Sequence, residues 1–134
     1  MVVPGKVNVG AKRVMIVDGD GDSRSVYRIV LQYYGYEVME ADNGEAALAM
    51  VEQTAFDVVV TELTLRLVDG HTLVERLREH DRTRDTCIMV VTARGLQEDR
   101  ERAEQAGCTR FLTKPLEPQA LLREIEHALK ELGQ

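Results

Sequence analysis

Four short segments of the chain carry side chains suited to handling a phosphoryl group. Asp18, Asp20 and Asp22 lie in the acidic run Asp18–Asp22, Glu62 and Thr64 follow one apolar run, Thr92 ends another, and Lys114 precedes Pro115. Acidic groups can hold a Mg²⁺, a carboxylate can attack phosphorus, and a hydroxyl and an ammonium can neutralise phosphoryl oxygens. The set functions only if the four segments converge, so the intervening elements must bring them to one place.

Those elements alternate. Arg13–Val17 reads as a buried strand, and Val26, Ile29, Val30 and Tyr33 recur at helical spacing between Ser23 and Tyr34. Gly35 can supply the left-handed end of that helix. Tyr36–Glu40 is a short strand, and Asp42 or Asn43 caps a second helix with Ala47 and Val51 on its inner face. Phe56–Thr61 is the most β-branched run and reads as a central strand. Leu73, Val74 and Leu77 stripe a third helix after Asp69-Gly70, and Cys87–Val91 is another buried strand. Leu96–Ala106 is helical by propensity with few apolar residues, so this fourth helix should be weakly anchored and among the least protected elements. Arg110–Thr113 is a fifth strand. Leu121, Leu122, Ile125, Leu129 and Leu132 then line the clearest amphipathic helix of the chain.

Strands alternating with helices imply an α/β fold with a parallel sheet covered on both faces, and right-handed crossovers favour the doubly wound form. Such a sheet places its site at the carboxyl ends of the strands, where all four segments fall.

In order and spacing, IVDGD (16–20), GYEVMEADNGEAAL (35–48), FDVVVTEL (56–63), VDG (68–70), VVTA (90–93) and FLTKPL (111–116) resemble the receiver domains of two-component response regulators. The similarity runs from about Arg13 to Leu132. It implies a flavodoxin-like (βα)5 fold with strand order 2-1-3-4-5, residues 1–12 as a flexible leader, 13–132 as the receiver domain and 133–134 as its end.

The resemblance also assigns roles. Asp18 matches an acid that helps bind the metal, with Asp20 beside it in the acidic pocket, and the backbone carbonyl of Thr64 matches a further metal ligand. Thr92 matches the switch hydroxyl, Phe111 the aromatic switch position and Lys114 the essential lysine, whose bond to Pro115 is often cis in the family. Glu62 stands seven residues before Asp69, where the family almost always has its phosphoacceptor aspartate. Gly19 stands where a second metal-binding acid is usual.

Both departures point to weak or absent Mg²⁺ binding and to loss of conventional phosphorylation. A carboxylate displaced by about 1 Å can cost on the order of a hundredfold in rate. The longer Glu62 side chain could instead reach Lys114 where a phosphoryl group would sit. The expectation is a non-enzymatic, stand-alone signalling module that binds proteins, a histidine kinase or other signalling partner among them. Its partner face, by resemblance, lies along the fourth helix, fifth strand and fifth helix, which also suits homodimerisation.

Other readings are weaker. As a calcium loop, 18–29 lacks the glycine and bidentate glutamate at Ser23 and Ile29. Asp20 or Asp22 reads better as a cap for the first helix. Asp-x-Asp-Gly with VVTARG resembles haloacid-dehalogenase-type phosphatases, but the later acidic pair is missing. Asp57, five residues before Glu62, falls at the other edge of the sheet. His71, His80 and His127 have no partner at metal spacing and read as surface residues. A net charge of −6, with arginines interspersed among glutamates, argues against direct nucleic-acid binding. No apolar run is long enough for a membrane span, the first residues lack a signal-peptide core, and two cysteines without a CxxC motif suit a cytoplasmic protein with reduced thiols.

Overall fold

The computed structural model describes residues 11–133. The expected leader therefore lies, but for its last two residues, outside the described residues, as does Gln134. Ten elements alternate: β1 Arg13–Val17, α1 Gly21–Tyr33, β2 Glu37–Ala41, α2 Gly44–Gln53, β3 Val58–Thr61, α3 Gly70–Glu79, β4 Cys87–Thr92, α4 Gln97–Ala106, β5 Arg110–Thr113 and α5 Pro118–Glu131.

The strands form one parallel sheet in the order β2-β1-β3-β4-β5. β3 and β4 are buried at every position, which is why VVVT and CIMVVT carry no inward–outward polar alternation. Alternate strand residues feed two cores. Met15, Val59, Ile88 and Val90 pack with Ala47, Val51, Leu73, Val74, Leu77 and Ala103, so α2, α3 and α4 cover one face. Val14, Ile16, Val58, Val60 and Met89 pack with Tyr27, Leu31, Leu121, Leu122, Ile125 and Leu129, so α1 and α5 cover the other.

Helix starts follow their caps. Asp20, Asn43 and Asp69 accept backbone N–H bonds from Asp22, Ala46 and Thr72, satisfying donors that the first turns cannot satisfy themselves. Gly35, at φ 97°, turns the chain out of α1. At the amino end of the sheet, Arg78 clamps two loops. Its Nε donates to the Gly107 carbonyl at 2.8 Å, and its Nη1 donates to the carbonyls of Thr86 at 2.6 Å, Arg84 at 3.1 Å and Thr83 at 3.2 Å.

Three expectations are corrected. α1 buries Tyr27 and Leu31, whereas Val26, Ile29 and Tyr33 are 50%, 58% and 48% exposed. Both sets recur at helical spacing; the buried one packs against the sheet and α5, and its Tyr27 hydroxyl donates to the Leu116 carbonyl at 2.9 Å. Leu132 lies past the end of α5 and is exposed, so the apolar stripe stops at Leu129. His71 is not a surface residue: it is 2% exposed, on the face of α3 that meets α4.

Candidate functional site

The ends of β1, β3 and β5 meet at Lys114. Backbone bonds between neighbouring strands set this up, because Glu62 N–H donates to the Val17 carbonyl and Lys114 N–H to the Thr92 carbonyl. The Lys114 ammonium donates to Asp18 Oδ2 at 2.9 Å and lies 3.2 Å from Glu62 Oε1. Asp18 is buried, and its other oxygen accepts the Asp20 N–H at 2.8 Å. The second Glu62 oxygen curls back over its own loop and accepts the Leu63 N–H at 2.7 Å and, more weakly, the Thr64 N–H at 3.4 Å. The Glu62 carboxylate is thus held between an ammonium and two backbone amides, the donors that would bind an anionic group placed there.

Burial works to lower the Lys114 pKa. The hydrogen bond that Lys114 donates to Asp18 and the charges of Asp18 and Glu62 outweigh it, so the net shift is upward and the ammonium is held charged. Asp20 is committed elsewhere, accepting from Asp22 N–H and Ser23 Oγ as the cap of α1. The Asp22 N–H bond, followed by that from Ser23, holds the Asp20 carboxyl below its ordinary range. Asp57 lies at the other end of β3, accepting the Arg13 N–H at 2.8 Å, so it takes no part in the site.

Two of the residues singled out from sequence are less directly engaged. Thr92 is fully buried and its hydroxyl accepts the Arg94 N–H at 3.0 Å. No hydrogen bond or ion pair among the described residues joins its side chain to Glu62 or Lys114. Phe111 is buried three residues before Lys114, with the Arg100 guanidinium of α4 lying 4.8 Å from its ring centroid. This cation–π contact had no sequence signal, since nothing in the spacing of 100 and 111 relates a helix to the next strand. Arg24 was also missed: from α1 it donates to the Asp18 carbonyl and to Glu40, buttressing the acidic loop.

The donor set fits a divalent cation poorly. Asp18 and Glu62 both face the same ammonium, and Gly19 adds no side-chain oxygen. Thr64, whose carbonyl would be the third ligand, is exposed. Among the described residues, no group of three or more His, Cys, Asp or Glu side chains is arranged to hold a metal ion. The Lys114–Pro115 bond is cis. Beside it an open cleft of about 570 Å³ lies between α1 and the loop that follows β5, lined by Asp20, Val26, Tyr27, Ala93, Pro115 and Leu116 among others. No helix of the described residues is long and apolar enough to cross a membrane.

The family model of the response regulator receiver domain matches residues 14–126. RpaA of Synechocystis sp., a DNA-binding dual master transcriptional regulator, is 31% identical over 118 residues, which are 88% of this chain and 49% of RpaA. The chain therefore spans about half the length of such curated relatives. The chemotaxis response regulator CheY4 of Vibrio cholerae superposes with a TM-score of 0.84 at 28% identity, over 88% of this chain and 98% of CheY4. The receiver domain of the sensor histidine kinase PA1611 from Pseudomonas aeruginosa, which has a magnesium ion in its active-site cleft, gives 0.82 at 26% identity over 92% and 99%.

Proposed function

The chain belongs to the response-regulator receiver domain family of two-component signalling, and from that premise we propose that it is an atypical member that works without conventional phosphorylation. The observation that carries this reading is the position of the Glu62 carboxylate, 3.2 Å from Lys114 and bonded to the Leu63 amide. Receiver domains typically bind Mg²⁺. In this one, Lys114 is already paired with both Asp18 and Glu62, and the glycine at 19 offers no carboxylate, so metal binding is weak or absent. Glu62 supplies a fixed negative charge to the donors that would otherwise receive a phosphoryl group, and the domain rests in an activated-like state.

Receiver domains are signalling modules that interact with histidine kinases and other proteins. For residues 13–132 we infer a protein-binding role in the cytoplasm, without enzymatic activity and without direct contact to nucleic acid. Two surfaces support it. Val26, Ile29 and Tyr33 leave an apolar stripe on α1 running away from the cleft. The face of α4, β5 and α5 suits docking or homodimerisation, although Arg110 there is tied within the chain to Glu131 and Glu124.

Backbone amide NMR with added Mg²⁺ and then beryllofluoride, a phosphoryl mimic, tests the central reading. Unshifted signals around Asp18, Glu62, Thr92 and Lys114 at millimolar Mg²⁺ are the expected outcome. Saturable shifts spreading from Glu62 to Phe111 and α4 would overturn it in favour of a phosphorylatable receiver with weakened Mg²⁺ binding.

A further inference from the structure

α4 has little apolar attachment to the rest of the molecule. Only Asp99 and Ala103 of its ten residues are buried. Asp99 faces His71 of α3, with its Oδ1 3.8 Å from His71 Nε2, too far for a hydrogen bond. The same oxygen accepts from Arg94 Nη2 at 2.9 Å. Neither ring nitrogen of His71 has a hydrogen-bond partner among the described residues. The other carboxylate acting on His71, Asp69, is engaged by the Thr72 N–H as the cap of α3. The cations are Arg94 before α4 and Arg102 on it. An imidazolium at this position would therefore be buried and under the charges of two guanidiniums, with its nearest carboxylate oxygen, Asp99 Oδ1, 3.8 Å away and already bonded to Arg94.

We propose that His71 is a proton-operated latch: uncharged, it lets the first turn of α4 seat against α3, and its protonation releases that turn. The inference does not depend on the state of Glu62. Its reach is set by Arg100, the residue after Asp99, which covers the Phe111 ring. Releasing the first turn of α4 uncovers that ring, so acidification reaches the switch position without a phosphoryl group.

The electrostatics agree in sign. Burial, then Arg102 and Arg94, lower the His71 pKa from its ordinary 6.5, against smaller raising effects of Asp69 and Asp99. With the folded value depressed, the seated state is fully favoured above the ordinary value and is weakened as pH falls from there towards the depressed folded value.

The test is a pH series between about 4.5 and 8 on the whole chain, bracketing the ordinary histidine range. It follows the His71 ring signals and the hydrogen-exchange protection of α4 amides, corrected for intrinsic exchange. His71 should titrate below its ordinary value, and α4 protection should fall by up to roughly tenfold per pH unit through the same window, the limit for one linked proton. His71→Gln should flatten the α4 dependence and His80→Gln should preserve it. A His71 midpoint at or above its ordinary value, or an α4 dependence unchanged in His71→Gln, overturns the proposal. Should His71→Gln not fold, coincidence of the ring and α4 midpoints in the unsubstituted chain supports the latch, and their separation overturns it.

Discussion

At the scale of single residues, the chemistry at the carboxyl end of the sheet turns on positions 19 and 62. A side chain fits at Gly19, because a Cβ there would meet only the Asp42 carbonyl oxygen, at an ordinary 3.7 Å. Substituting Gly19→Asp together with Glu62→Asp shortens one carboxylate and adds another. If those two departures are the whole defect, the double variant gains Mg²⁺-dependent phosphorylation from a small phosphodonor such as acetyl phosphate, read by intact mass. No added phosphoryl mass would place a further defect elsewhere in the pocket. The meeting of Asp18, Glu62 and Lys114 was legible in the sequence because each closes a strand of a parallel sheet, and such ends converge whatever the side chains. Their bonding was not: the turn of the Glu62 carboxylate onto the Leu63 amide depends on rotamer and loop path. His71 had a readable sign. It precedes Val74 by three residues and so shares the buried stripe of α3, a placement outweighed in the sequence by histidine's usual surface habit.

Whole elements depend on fewer contacts than their length suggests. The Arg78 fork fixes the loops before β4 and β5 by donating to backbone carbonyls that have left regular structure. Arg78→Ala should cost roughly 2–3 kcal/mol, because several of those carbonyls lose a charged donor at once. Arg78→Lys should recover only part of this, since a single ammonium cannot span the fork. Urea midpoints of the two variants decide it, and an Ala variant within about 0.5 kcal/mol of the parent would show the clamp to be energetically idle. The elements themselves were legible to within a few residues at each end, because apolar runs and cap residues are local signals. The inner face of α1 was not. Its sequence is apolar on two stripes, and only packing against α5 and the sheet chooses between Tyr27–Leu31 and Val26–Ile29–Tyr33.

On the scale of the whole molecule, that choice leaves an exposed apolar surface that adds little to folding. Ile29→Ser should leave the unfolding free energy nearly unchanged, within about 0.5 kcal/mol. Leu31→Ala, two residues on and fully buried, should cost roughly 2–5 kcal/mol. Equal losses at the two positions would mean that the stripe is covered in solution, for instance by a second copy. The Glu62 carboxylate has a last consequence at this scale, one of time. An aspartyl phosphate is a message with a lifetime: it is written by a donor and erased by hydrolysis. A glutamate carboxylate is translated with the chain and cannot be hydrolysed away. Under the function proposed above, the strength of the signal is set by how many copies of the chain exist, and its duration by how fast they are made and degraded.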